Sequence, residues 1–228
     1  MKNLLLIPLI ALFASSAVRA DDSKTSRSDL VARVESCEAI LQEFTTDSAN
    51  GIPPAVLQSA KAVIVLNQFK AGFIFGVKAG YGVIMVKHSN GHWSVPVLLN
   101  AGEASLGFQL GAKSVESVLI ITDEHTPRLL FNSRFNVGVD AKAVAGPKAA
   151  EVERFNKPTL NGPVLVYAHS KGLFAGATVK VGTLARNDEA NFTLYNSSST
   201  LPELLYGDWT TPPDEVRPIM NLVSRLSP

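Results

Sequence analysis

Glycine occurs at alternate positions within segments that otherwise resemble β-strands. Across residues 73–86 the odd positions carry mostly large side chains, whereas the even positions include Gly76, Gly80 and Gly82. The same alternation recurs in residues 105–111 and 172–182. Because successive side chains point to opposite faces of a strand, one face of such a sheet is bulky and the other is almost bare backbone.

Glycine inside a strand costs stability, and its usual compensation is a sharp bend or a close approach. Two interpretations therefore remain open for this chain. In the first, which the pattern favours, the sheet is coiled or forms a small barrel and needs glycine at its bends. In the second, the bare face is an open groove that a ligand or another layer approaches closely.

Apolar runs and turn residues predict the individual strands. A continuous apolar run over residues 63–66 begins the part of the chain that favours strands. Asn90-Gly91 predicts a hairpin with a two-residue turn, in which Ser89 pairs with His92. Further strands are predicted over residues 104–112, 117–122, 163–169, 172–185 and 191–195.

Helices are expected on both sides of this strand-rich region. With Ser28 as the N-cap, apolar residues recur at steps of three and four, at Leu30, Val34, Cys37, Leu41 and Phe44. Pro53-Pro54 predicts a short helix, and residues 213–226 a C-terminal one. The expected fold class is α+β, a glycine-rich antiparallel sheet or partly closed barrel flanked by N- and C-terminal helices.

Cysteine content and overall charge exclude several classes of protein. The 228 residues are 46% hydrophobic and include one cysteine, so neither a disordered chain nor a disulfide-stapled miniprotein is expected. A formal net charge of +1 also disfavours nucleic acid as a partner. Cys37 lies on the apolar stripe, and we expect a buried free thiol there rather than an intermolecular disulfide.

Residues 1–20 have the pattern of an export signal. Lys2 precedes an apolar run, and Val18-Arg19-Ala20 is an acceptable cleavage site before Asp21. We therefore expect cleavage near Ala20, a single domain over residues 21–228, and a protein of the periplasm or cell envelope. Without Lys2 and Arg19 the remaining chain has 19 basic and 20 acidic residues, a net charge of −1.

No catalytic, metal or cofactor constellation is expected. Residues 168–172 approach the serine-nucleophile motif G-x-S-x-G, but a strand-like segment follows them, and no histidine lies downstream. His88 and His92 would lie on opposite faces of the predicted hairpin, and the chain has neither a thiolate zinc cluster nor a phosphate-binding loop. The sequence therefore predicts a protein that is not an enzyme.

A series of short segments, spread in order along the chain, resembles the SYLF-domain family over residues 30–207. The segments are Ile52-Pro53-Pro54 to Ala60-Lys61-Ala62, Lys70-Ala71-Gly72-Phe73, Tyr81-Gly82-Val83, Trp93-Ser94-Val95-Pro96, Gly107-Phe108-Gln109-Leu110-Gly111, Ala145-Gly146-Pro147 and Ser170-Lys171-Gly172-Leu173-Phe174-Ala175-Gly176. The resemblance implies a phosphoinositide-binding and actin-regulating module, and bacterial members of this family are typically exported.

The resemblance also implies which residues would contact a lipid headgroup. Lys61, Lys70 and Lys171 are the basic residues within the matching segments, and a lysine ammonium group is a suitable partner for a phosphate. Lys70 and Lys171 each adjoin a glycine-bearing strand with an aromatic residue nearby, Phe73 or Phe174. These five residues are the predicted lipid-binding site.

Two hypotheses follow from the sequence and the resemblance together. In the leading one, the exported protein binds anionic phospholipid, with phosphoinositide-like headgroups, at a membrane surface. In the alternative, it is a structural or interaction protein of the cell envelope with a protein partner and no lipid ligand.

Overall fold

The computed structural model describes most of the chain between residues 25 and 228. The described ranges are 25–47, 51–72, 75–106, 111–132, 134–137, 139–140, 142–145, 162–172 and 182–228. The predicted export signal lies outside them.

Eight strands form one sheet. They are β1 (Ala62–Gly72), β2 (Phe75–Val86), β3 (Val97–Leu106), β4 (Gly111–Ile121), β5 (Arg134–Asn136), β6 (Ala143–Ala145), β7 (Val164–Gly172) and β8 (Thr183–Arg186). Their order is β5-β8-β3-β2-β1-β4-β7-β6, and every pair is antiparallel except β6 with β7. The sheet curls into a half-barrel, which confirms the predicted fold class.

Helices precede and follow the sheet, as the sequence predicts. They are α1 (Arg27–Thr46), α2 (Pro54–Gln58), α3 (Asp188–Tyr195), α4 (Leu201–Tyr206) and α5 (Arg217–Leu226), with 3-10 turns at Thr126–Asn132 and Asp214–Val216. The predicted apolar stripe of α1 is buried. The N-cap is Ser26 rather than Ser28, because Ser26 and Asp29 accept each other's backbone N–H bonds in a capping box.

Each face of the sheet carries its own apolar core. On one face, side chains of β1, β2, β3, β4 and β7 pack against α1, α2, α3 and α5. On the other, seven strands contribute to a cluster that is completed by α4 and the turn at Thr126–Asn132. We call the first the α1 face and the second the α4 face.

The α4 face is closely packed where its glycines lie. A Cβ added at Gly82 would lie 2.3 Å from the carbonyl oxygen of Val65 and 2.5 Å from Cδ2 of Leu66. A Cβ at Gly80 would lie 2.2 Å from the carbonyl oxygen of Asn67. The neighbouring strand β1 thus occupies the space beside both glycines. At these two positions the structure supports a sheet that needs glycine to coil, rather than an open groove.

The hairpin after β2 differs by one residue from the prediction. The N–H of Gly91 donates to the carbonyl of His88 (3.0 Å), and the N–H of His88 donates to the carbonyl of His92 (2.8 Å). Gly91 has a φ of 85°, so a tight turn followed by a left-handed glycine forms a three-residue loop. His88 is therefore paired with His92. The prediction that the two imidazoles lie on opposite faces was wrong, because its pairing register was one residue off.

The predicted strand over residues 191–195 is also wrong, because these residues belong to α3. Asn187 caps this helix by accepting a bond from the N–H of Ala190 (3.3 Å). The buried side chain of Asn191 then exchanges two hydrogen bonds with the backbone of Leu98 in β3, at 2.8 and 3.0 Å. These polar contacts favour a helix where the aromatic and β-branched residues predict a strand.

Cys37 is fully buried on the inner side of α1, as the sequence predicts. Burial raises the pKa of its thiol to about 12, so almost none of the reactive thiolate exists near neutral pH. We expect a maleimide to leave the native protein unlabelled at pH 7 and to label it promptly in urea. An added cysteine at the exposed position Ser224 is the control. Equal labelling of Cys37 and Ser224→Cys in native protein would contradict this burial.

Candidate functional site

Two of the predicted lipid-binding lysines lie at the same end of the sheet. Lys70 is near the last residue of β1, and Lys171 is near the last residue of β7. Strand β4 lies between these two strands, with Lys113 opposite Lys70 and Ser114 opposite Lys171. Neighbouring strands are about 4.8 Å apart, so the backbones at Lys70 and Lys171 are separated by about 10 Å. We call this region the lysine end of the sheet.

Register brings two further lysines to the lysine end. Lys78 on β2 is directly opposite Lys70, which is itself opposite Lys113. Three lysines therefore occupy one cross-strand row. Like charges directly opposite each other destabilise a sheet. Glu103 on β3, opposite Lys78, is the one acidic residue that this register adds to the row.

An aromatic residue occupies the α1 face at the same end. Phe69 is opposite Ala79 on β2 and Ser114 on β4, and Ser114 is in turn opposite Lys171. The side chain of Phe69 is 56% exposed, although the large apolar residues of the core on the α1 face are buried. The lysine end thus combines four lysine positions with an exposed aromatic ring.

Phe69 is exposed because it lies beyond the part of the sheet that α1 covers. One step before Phe69 on the same face, the side-chain amide of Asn67 donates to Ser36 Oγ of α1 (3.1 Å) and to the hydroxyl of Tyr81 (3.2 Å). The guanidinium of Arg33 lies 5.2 Å from the centre of the Tyr81 ring. These polar contacts form the edge of the helix-covered core, and Phe69 lies beyond it.

The C-terminal part of α1 contacts the cross-strand row that contains Asn67. His169 on β7 stacks on Phe44 with ring centroids 4.2 Å apart, and its Nδ1 lies 3.6 Å from Glu43 Oε1. His169 is opposite Glu116, which is opposite Asn67. The contacts of Asn67 and His169 therefore hold α1 on β1 and β7, between the buried core and the lysine end.

The remaining predicted site residues are not brought into this region by the described structure. Lys61 precedes β1, at the opposite end of the sheet, and its Nζ lies 3.6 Å from Glu124 Oε1. Lys70 lies nine residues further along the chain, a length of about 30 Å in a strand. Lys61 therefore cannot share a headgroup with Lys70. Phe73 and Phe174 lie outside the described residues.

Sequence reasoning missed Lys78, Lys113 and Phe69. Lys78 and Lys113 are ordinary polar positions in alternating segments, and only the cross-strand register places them beside Lys70. Phe69 follows Gln68 in a strand whose earlier residues are almost all buried, so its pattern predicts a core residue. The exposure of Phe69 could not be predicted from the sequence, because it depends on where α1 packs on the sheet.

Neither a metal-binding cluster nor a membrane-spanning helix is found among the described residues. Within these ranges, no group of three or more His, Cys, Asp or Glu residues is arranged to hold a metal ion. None of the helices in the described part of the chain is both long and apolar enough to cross a membrane.

Comparisons with known proteins identify relatives of this chain. It is 32% identical over 175 residues to Protein YSC84 of Saccharomyces cerevisiae, which is 75% of this chain and 37% of that protein. It is 28% identical over 191 residues to SH3 domain-containing YSC84-like protein 1 of Bos taurus, covering 81% of this chain and 56% of the relative. The chain thus spans from under two fifths to just over half of these relatives. No solved structure matches it.

A family profile gives the classification. Residues 102–226, more than half of the chain, match the family described as "Ysc84: Las17-binding protein actin regulator". LAS seventeen-binding protein 3 of Saccharomyces cerevisiae, which is named as a binding protein, is 30% identical over 185 residues, or 80% of this chain and 40% of that protein. The match and the ordered sequence segments agree, and the chain belongs to the Ysc84 family of SYLF-domain proteins.

Proposed function

We propose that this protein binds anionic phospholipid at a membrane surface through the lysine end of its sheet. The observation that carries the proposal is the cross-strand row of Lys78, Lys70 and Lys113, with Lys171 on the next strand. Glu103 lies opposite Lys78 at one end of this row, and the like charges of Lys70 and Lys113 cost stability unless an anion compensates them. A phosphate headgroup supplies that compensation, and the ammonium groups of lysines act on it as point charges.

Charge placement explains why a nearly neutral protein would have this activity. The chain from Asp21 onward has a net charge of −1, so it has no general attraction to an anionic surface. Lysines close to such a surface contribute about 1 kcal/mol each, and the interaction decays within a Debye length of about 8 Å at physiological salt. A local group of four lysines is therefore sufficient, and the protein would act at an envelope membrane after export.

Co-sedimentation with vesicles tests the proposal. We expect the purified protein to sediment with vesicles that contain phosphatidylglycerol and to remain in the supernatant with vesicles of phosphatidylcholine alone. Raising the salt concentration should release it, because salt screens the charges. The same amount of protein in the pellet with both kinds of vesicle, or none with either at low salt, would refute binding to anionic lipid.

A protein partner is the second candidate, and the family description supports it. In this case the domain would be an interaction module of the envelope, with no lipid ligand. The two candidates are distinguished by a variant with Lys70→Ala and Lys171→Ala. Retention of a protein partner by this variant, with no vesicle binding by either form, would favour the second candidate.

A further inference from the structure

Phe69 is unusual among the exposed apolar side chains of the described residues. Those that are large and exposed are Phe69, Val139, Phe192 and Trp209. Phe192 lies on α3, whose Asn191 bonds to β3 at Leu98, and Trp209 follows Asp208, which lies 3.5 Å from His88. Both are thus away from the lysine end. Val139 follows β5, whose Asn136 shares the cross-strand row of Phe69, but β5 is an edge strand four strands away from β1. Of the four, Phe69 alone lies on a strand of the lysine row, next to Lys70.

The surroundings of Phe69 leave its ring accessible. Its cross-strand neighbours are small: Ala79 is exposed, and Ser114 is half-buried. On the same face, α1 contacts Asn67, two residues before Phe69 on β1, through Ser36. An exposed phenyl ring gains free energy when it leaves water for an apolar medium. The structure therefore places an aromatic ring that is more than half exposed where the lysines would meet a charged surface.

Resting on the proposed binding of anionic lipid, we propose that Phe69 inserts into the boundary between headgroups and acyl chains of the bilayer. The lysine row is complementary in charge to an anionic membrane, and this complementarity identifies a bilayer as the occupant. Amphipathic surfaces combine such apolar insertion with attraction to anionic lipid. Phe69 would contribute the part of the affinity that salt does not screen.

Fluorescence of a Phe69→Trp variant tests this insertion. The native tryptophans are Trp93, which pairs with Lys87 at the opposite end of the sheet, and Trp209, near the same hairpin. We expect emission of the variant to shift to shorter wavelength on anionic vesicles, and lipids brominated on their acyl chains to quench it. The parent protein, with its two native tryptophans, should be quenched far less and is the baseline.

Binding measurements on alanine variants give a second, independent result. Phe69→Ala should weaken binding to phosphatidylglycerol vesicles about tenfold, with little change in its salt dependence. Phe192→Ala is the matched control, because Phe192 is 54% exposed and lies on α3. It should bind as the parent does. Circular dichroism of both variants checks that they are folded.

The outcomes separate this inference from the proposed function. If the parent binds anionic vesicles while Phe69→Trp shows neither shift nor quenching, the insertion is refuted and lipid binding stands. If the parent binds no vesicles, the proposed function fails as well. A blue shift that depends on protein concentration without lipid would overturn the inference in another way, because a second copy of the chain would then cover Phe69.

Discussion

Replacing Lys70, Lys78, Lys113 and Lys171 together by glutamine is expected to weaken binding to anionic vesicles by about a thousandfold. Each lysine near an anionic surface contributes about 1 kcal/mol, and about 4 kcal/mol corresponds to this factor. The salt dependence of any remaining binding should become shallow. A sedimentation titration with phosphatidylglycerol vesicles measures both quantities.

A charge-matched control shows whether position matters. Four exposed cations away from the lysine end can be replaced by glutamine in a second variant: Lys61, Lys142, Arg217 and Arg225. This variant has the same net charge as the first and should keep most of the parent's affinity. Arginine at the four lysine positions should also preserve binding. Equal losses in the two glutamine variants would mean that overall charge, rather than the row, determines binding.

Gly82→Ala is expected to lower the free energy of unfolding by about 3 kcal/mol, the upper part of the usual range for overpacking. The added Cβ would lie 2.3 Å from a backbone oxygen of β1, and neither strand can move away without breaking its pairing. A typical domain has about 5–15 kcal/mol of stability, so this loss is large. Urea unfolding followed by circular dichroism measures it.

Gly91→Ala is the control that distinguishes the cost of steric overlap from the cost of an unfavourable backbone conformation. Gly91 has a φ of 85°, but nothing lies within 4 Å of the Cβ that alanine would add. Its replacement should therefore cost only the strain of a left-handed residue, about 1 kcal/mol. If Gly82→Ala were no more destabilising than Gly91→Ala, the close approach of β1 to Gly82 would be wrong.

The fold class followed from two periodicities that are local properties of the chain. Alternation with glycine predicted the sheet and its coil, and steps of three and four predicted α1. The hairpin register was missed because a left-handed Gly91 adds a residue to the loop. The helix α3 was missed because its deciding contact, between Asn191 and Leu98, joins residues far apart in sequence.

The candidate site divides in the same way. Lys70 and Lys171 were predicted because each lies in a recognisable segment beside a glycine. Lys78 and Lys113 could not be predicted, because they come close to Lys70 only when the strands are paired in register. Lys61 was grouped with Lys70 and Lys171 by resemblance, but it directly precedes β1 and so lies at the opposite end of the sheet.

The alternation of Phe69 and Lys70 on β1 has a consequence for how the domain would meet a membrane. Consecutive residues of a strand point to opposite faces, so neither face of the sheet can lie flat on a bilayer and engage both side chains. The strand would have to stand upright, its end dipping into the headgroups. Its far end, with the hairpin around Gly91, would then be held about 30 Å above the lipid. A membrane-bound domain in this posture presents that end to the surrounding solution.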